Sequence, residues 1–254
     1  MNKISIIVIT KNESHDIRGC LESISWADEI IVLDSGSTDE TRNIALEFTK
    51  QVYVEENWQG FGIQKNRALA YATKDWVLSL DADERVTREL RTEIEKVITE
   101  PHCNTAFRIP RSSNYCGKFI KHSGWTPDYV VRLFRKDSAY FNNNIVHESL
   151  VIKGNIGTLK HQIRHYAFSD LEEVVDKVNR YSSAGAMQKF KQGEKSSFGK
   201  AIRHGLWAFI RTFFIQAGFL DGREGFILAV SNAEGVYYRY LKLMYLQEKM
   251  QADA

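Results

Sequence analysis

An apolar run that ends in acids is the first place in this chain to look for chemistry. In DWVLSLDADERV (75–86), Trp76, Val77, Leu78 and Leu80 suit a buried strand, and Asp81, Asp83 and Glu84 follow at once. Carboxylates do not follow apolar neighbours into a core without partners. The stretch is therefore either a solvated turn or a strand that delivers carboxylates to a site. Asp81 and Asp83, two residues apart on an extended strand end, point the same way. Together they suit a hard divalent cation, Mg²⁺ or Mn²⁺, bound through oxygen. Such an ion bridges a diphosphate and neutralises a leaving nucleotide. An EF-hand is excluded, because Val86 and Thr92 stand where that loop requires glycine and glutamate. Neither a P-loop nor the glycine fingerprint of dinucleotide-binding folds occurs.

Two further polar clusters follow apolar runs: TKNE (10–13) after Ile4–Ile9, and DSGSTD (34–39) after Glu29–Leu33. The elements between them alternate. Ile17, Cys20, Leu21 and Ile24 keep helical spacing, with Asn12 or Ser14 as the expected cap. Ser37 or Thr38 is expected to cap a helix that turns Ile44 and Phe48 inward. Gln51–Val54 reads as a short strand, Ile63–Ala72 as a helix after the loop ENWQGFG, and Thr87 opens a helix with Leu90, Ile94, Val97 and Ile98 inward. This βαβαβαβα order predicts an α/β fold: a mostly parallel sheet with helices on both faces. In open sheets of that kind, ligands bind beyond the carboxyl ends of the strands. The DSGSTD cluster alone is equally a turn and a helix cap; the three clusters at three strand ends point together to a site.

Composition narrows the classes. The chain has 254 residues, 43% apolar and 26% charged, with a net charge of +2. That is a globular balance with no bias toward nucleic acid. Cys20, Cys103 and Cys116 are odd in number and far apart. They form neither a disulfide framework nor a CxxC metal site and read as reduced, intracellular thiols. The apolar run near Met1 is too short for a signal peptide or a membrane span and reads as the first strand.

ISIIVITKNE, IIVLDSGSTDET and GFGIQKNRALAYATKDWVLSLDADE, in that order and spacing, resemble glycosyltransferase family 2, whose members are inverting enzymes of the GT-A fold. GWTPDYVVRLFRKD, VHESL, RYSSAGA and GFLDGREGF extend the resemblance to the lipopolysaccharide core β-1,4-glucosyltransferase branch, which acts on an inner-core heptose. The resemblance implies a UDP-sugar donor, UDP-glucose foremost, with Thr10 and Glu13 by the nucleoside and Asp34 at the uracil or ribose. Lys65 and Asn66 stand where the family has an Arg-Asn pair facing the nucleotide; Lys keeps the charge but loses the bidentate fork. Asp81 would lie near the ribose and metal, and Asp83 would ligate the metal directly.

An inverting transfer requires a carboxylate that takes the acceptor's proton. Glu148 in NNNIVHESL and Asp128 in GWTPDYVVRLF are the candidates, with Glu148 favoured. His165 in IRHYAF is the expected late metal ligand, with His147 as the alternative. Arg132 and Arg135 either face phosphates of the acceptor or line a solvated strand edge. On this reading residues 1–165 form the catalytic domain and 166–254 a helical extension. Ser169 and Glu172 fit a capping box there. The aromatic stretch 199–222, flanked by basic residues, is too polar to span a bilayer. It either packs against other elements or lies in the interface of an anionic leaflet, where a lipid-anchored lipooligosaccharide acceptor would be met. The protein is accordingly expected in the cytoplasm, with contact at the inner membrane's cytoplasmic face. Two other classes compete. A haloacid-dehalogenase-type phosphatase also uses Asp-x-Asp, but on its first strand. A non-catalytic carbohydrate- or nucleotide-binding module would bind donor without turnover.

Overall fold

The computed structural model describes residues 2–142 and 149–252. It opens with the alternation expected: β1 (Ile4–Thr10), α1 (Ile17–Ser23), β2 (Glu29–Asp34), α2 (Thr41–Leu46), β3 (Val52–Val54), α3 (Phe61–Tyr71) and β4 (Trp76–Asp81). Strands β1 and β2 are buried at every residue, as strands covered on both faces must be. β3, β2, β1 and β4 lie side by side in that order, all parallel. Their register sets Thr10 opposite Asp34 and Ile9 opposite Asp81, so the three polar clusters emerge from one sheet edge.

Strand alternation sorts the core into two layers. Ile4, Ile6, Val8, Val32, Leu78 and Leu80 pack with Ile17, Cys20 and Leu21 of α1 and Ala45 of α2. The helix α4 (Arg88–Thr99), capped by the Thr87 side chain on Leu90 N–H, adds Leu90, Ile94 and Ile98 to the same layer. Ile7, Ile9, Ile31, Leu33 and Val77 face the other way, onto Ala68 and Leu69 of α3.

Beyond β4 the sheet becomes mixed. A short β5 (Glu84–Val86) begins at the third acid, so the backbone turns at Ala82–Asp83 instead of continuing as one extended strand. β6 (Asn104–Tyr115), β7 (Lys118–Phe119), β8 (Tyr129–Arg135), β9 (Ala139–Phe141), β10 (Leu150–Ile152), β11 (Asn155–Thr158) and β12 (Ile163–Phe168) complete the strands. β8 lies antiparallel between β4 and β6, β12 pairs antiparallel with β5, and β9 with β10 forms a separate ladder.

Two compact units result. The first holds the chain up to Arg111 together with Asp128–His165; the second holds Ser112–Pro127 together with the chain from Tyr166 onward. The second is built on α5 (Leu171–Lys191), α6 (Phe198–Ile210) and α7 (Gly222–Ala252). Tyr115, Ile120, Val174 and Leu228 form its core. Buried Asp221 organises it, accepting from Lys121 N–H at 3.0 Å, His122 N–H at 2.9 Å and Ser123 Oγ at 3.1 Å. The buried face of α6 is made of small residues, Ala201, Gly205 and Ala208. A Cβ at Gly205 would stand 3.0 Å from Tyr237 Cβ of α7, so glycine permits the close approach.

Three helix starts differ from the sequence expectation. α1 begins after Asp16 with no side-chain cap, and α2 begins at Thr41, because Asn12, Ser37 and Thr38 bond to one another instead. In α5 the cap is Asp170, which accepts from Glu173 N–H, while the Glu173 carboxylate accepts from Ser169 N–H. The box is thus closed by Glu173, one residue beyond Glu172.

Candidate active site

The ends of β1 and β2 interlock. Asn12, at φ +55°, donates its N–H to Ser37 Oγ and accepts Thr38 N–H, both at 2.8 Å. Glu13 N–H donates to Thr41 Oγ1 at 2.8 Å, and Ser14 N–H to Asp39 at 3.1 Å. Partial burial alone would raise the Asp39 carboxyl, but hydrogen bonds from Thr41 and Ser14 outweigh it and hold it at about 2. Asp34 is fully buried; its Oδ2 accepts from Gly36 and Ser37 N–H at 3.1 and 2.9 Å, and its Oδ1 from Ser37 Oγ. Gly36 sits at φ +84°, a conformation that favours glycine. Thr10 Oγ1 is buried and has no hydrogen-bond partner among the described residues.

The acids after β4 separate into two environments. Asp81 pairs with Lys65 Nζ at 3.1 Å through Oδ1 and with Arg132 through Oδ2. Burial opposes its charge, but Arg132 first and Lys65 next prevail and hold the carboxyl well below the usual range. Glu84 is wholly buried. It accepts from Arg132 at 2.8 Å and from Asp81 N–H at 3.0 Å, with Arg111 at 3.6 Å. Arg132 is therefore a buried cation clamped between two carboxylates, not a solvated edge residue. Arg135 lies 4.8 Å over the Trp76 ring.

Asp83 stands apart from this cluster. Its Oδ2 lies 3.1 Å from His165 Nε2, delivered by the β5–β12 ladder, which pairs His165 with Glu84. Asp83 Oδ1 is buried and has no hydrogen-bond partner among the described residues. A buried, unpaired carboxylate oxygen beside an imidazole is costly unless a ligand completes it. Beneath the loop, the Cys20 thiol lies 3.7 Å from Asp81 O, and burial pushes its pKa up, which keeps it inert.

The structure thus brings together Thr10, Asp34, Lys65, Asp81, Asp83 and His165. Glu13 joins through its backbone, which also starts α1 by accepting from Asp16 and Ile17 N–H. Asn66 uses both ends of its amide on the Phe141 backbone, at 2.7 and 2.8 Å, and so braces β9. Asp128 is held by Arg111 Nε at 2.8 Å. Glu148 and His147 lie outside the described residues. Glu84, Arg111 and Arg132, which set the charge balance, are the contributors that spacing alone does not reveal. Glu84 was visible only as a third acid, and Arg132 only as one of two strand cations.

Comparison with known proteins identifies the family. The model of the family described as "Glycosyl transferase family 2" matches residues 5–156. An uncharacterised glycosyltransferase of Rickettsia prowazekii (strain Madrid E) is 35% identical over 99% of this chain and 90% of its own. The lipopolysaccharide core biosynthesis glycosyltransferase LpsC of Rhizobium meliloti (strain 1021) is 28% identical over 93% of both chains. Among solved structures, glucosyl-3-phosphoglycerate synthase from Mycobacterium tuberculosis, in complex with Mg²⁺ and UDP, is 27% identical over 44% of each chain, with a TM-score of 0.37. With a family model covering more than half of the chain and a relative alike over nearly all of it, the chain belongs to glycosyltransferase family 2 and carries that family's GT-A fold.

Proposed function

We propose that this glycosyltransferase is a metal-dependent, inverting enzyme that transfers glucose from UDP-glucose to an inner-core heptose of lipopolysaccharide. The observation that carries the metal dependence is the orphaned Asp83 Oδ1, with His165 Nε2 beside the same carboxylate. The carboxylate suits Mg²⁺ or Mn²⁺, and the imidazole beside it favours Mn²⁺, the transition metal of the two. Among the described residues no group of three or more His, Cys, Asp or Glu surrounds a metal. Asp83 and His165 would hold such an ion with two protein ligands, and substrate oxygens and water would have to complete it. When bound, the ion supplies positive charge to a departing diphosphate. Asp81, paired with Lys65 and Arg132, serves the same site by fixing the loop and holding two buried cations beside it. The uncommitted Thr10 Oγ1 and the Asp34 loop form the nucleoside end. Glu148 is the base. Asp128 is less suited, since Arg111 already occupies its carboxylate.

The similarity to LpsC, named for lipopolysaccharide core biosynthesis, supports a core acceptor. α6 supports a lipid-anchored acceptor met at the cytoplasmic face of a membrane. Its small residues pack inward while Phe198, Ile202 and Leu206, at helical spacing, are about half exposed beside Lys200 and Arg203. Among the described residues no helix is long and apolar enough to cross a membrane.

The test is UDP release from a panel of UDP-sugars with Mn²⁺, Mg²⁺ or EDTA, with and without truncated heptose-bearing core. Acceptor-stimulated, EDTA-sensitive release from UDP-glucose is expected. Release from another sugar alone overturns the donor, and binding of UDP without any release overturns the enzyme reading. Asp83→Ala should lower turnover at least a hundredfold. Glu148→Gln should keep UDP binding and lose turnover, whereas loss with Asp128→Asn alone would reverse the assignment of the base.

A further inference from the structure

The helical unit contains a cavity of about 380 Å³ that the transfer chemistry does not use. Its size lies within the range of small-ligand sites. Trp125, Phe168 and Leu228 line it with apolar surface, and Lys177, Arg211 and Arg239 line it with positive charge. Most polar groups around it are already engaged. Lys177 Nζ donates to Ala167 O at 2.9 Å and sits 4.3 Å over the Phe168 ring, Asn232 donates to Thr212 Oγ1 at 3.3 Å, and Ser231 Oγ meets Tyr115 OH at 3.1 Å. The two guanidinium groups differ. Among the described residues neither Arg211 nor Arg239 forms an ion pair, and the buried Arg239 Nε has no hydrogen-bond partner. Glu234, the acid next to the lining residue Gly235, is exposed.

The room for Arg239 is built into the neighbouring helix. A Cβ at Gly185 of α5 would stand 2.7 Å from Arg239 Nε. Glycine in the middle of a 21-residue helix works against helix stability, and here it leaves the space that the guanidinium occupies. Arg239 is half-buried and Arg211 exposed, so their terminal N–H groups stay open to a ligand while the sealed Nε lacks a partner. An anion suits those open groups, since guanidinium matches the planar or tetrahedral oxygens of carboxylate and phosphate.

We propose that this cavity binds one anionic amphiphile, its phosphate or carboxylate on Arg211 and Arg239 and its hydrocarbon against Trp125, Phe168 and Leu228. The shared chemistry is an oxyanion joined to an apolar chain, whether it comes from a bilayer lipid or from a lipid-linked acceptor. The inference stands independently of the donor and acceptor assigned above. A free phosphate would satisfy the charge and leave the aromatic wall unused; a neutral detergent would do the reverse.

The experiment is titration of the full chain, by calorimetry and tryptophan fluorescence, with three probes: dodecyl phosphate below its critical micelle concentration, dodecyl maltoside, and inorganic phosphate. Dodecyl phosphate should bind at about one per chain and at least tenfold tighter than either of the others. Arg239→Gln and Arg211→Gln should each weaken it about tenfold or more while leaving dodecyl maltoside binding unchanged. Arg211 is exposed at the start of the wide turn that follows α6, so its variant remains informative should Arg239→Gln fail to fold. Equal affinity for inorganic phosphate, equal affinity for dodecyl maltoside, or indifference to both substitutions overturns the proposal. UDP-sugar turnover measured on the same samples reports on the transferase reading separately.

Discussion

At the scale of single residues, the acids after β4 share a sequence neighbourhood but not a task. Asp81 and Glu84 neutralise Arg132, while Asp83 reaches His165 with one oxygen and leaves the other open. Removing the shared cation should therefore be severe. Arg132→Met leaves Glu84, which has no solvent exposure, with the Asp81 N–H and, for counter-charge, Arg111 at 3.6 Å. The expected loss is about 3–5 kcal/mol in urea unfolding; an unchanged midpoint would show that Lys65 and Arg111 suffice. The Asp-x-Asp pair was legible because its spacing and its place at a strand end carry physical meaning. Arg132 was not. Nothing in VVRLFRKD separates a buried, doubly paired arginine from an edge cation, since both partners lie about fifty positions earlier, at Asp81 and Glu84. The reading of the pair as two carboxylates pointing the same way also met a limit, because the turn at Ala82–Asp83 gives them different partners.

Elements show where pattern suffices and where it fails. Four parallel strands with their helices were readable because each carries its own periodicity. The antiparallel half was not, since β5 and β12 are short, pair across almost eighty residues and lack a distinct apolar run. The loops after β1 and β2 give a prediction at this scale. Both hang on Asp39, whose carboxyl falls from about 3.8 to about 2 on folding. A depressed carboxyl stabilises the folded state above its unfolded value, and that contribution fades as pH falls through the folded one. Wild type should thus lose thermal stability between about pH 4 and pH 2 more steeply than Asp39→Asn, which keeps one acceptor but has no charge to lose. Parallel curves would mean that the loops are held by Asn12 and Ser37 alone.

For the whole molecule, the outward aromatic side of α6 makes a testable statement about partners. The protein should float with vesicles containing anionic lipid at low salt, detach at high salt, and lose most binding in Leu206→Glu. Failure to float at low salt would place that face against something other than a bilayer. The division into two units has a different consequence, concerning how the chain is made. Residues 112–127 belong with helices that begin only after Tyr166, so the chain crosses between units three times. During synthesis this segment leaves the ribosome with Tyr115, Ile120 and Trp125 bare, and it must wait about fifty residues for α5 and about a hundred for Leu228 of α7. A polypeptide stopped at His165 should therefore be insoluble, although it contains every assigned catalytic residue. Solubility of that fragment would show that residues 112–127 need no helical cover. If it is insoluble, the helical region is not an independent appendage: the catalytic sheet cannot be obtained clean without it, and nascent chains carry a bare apolar segment until the last helix arrives.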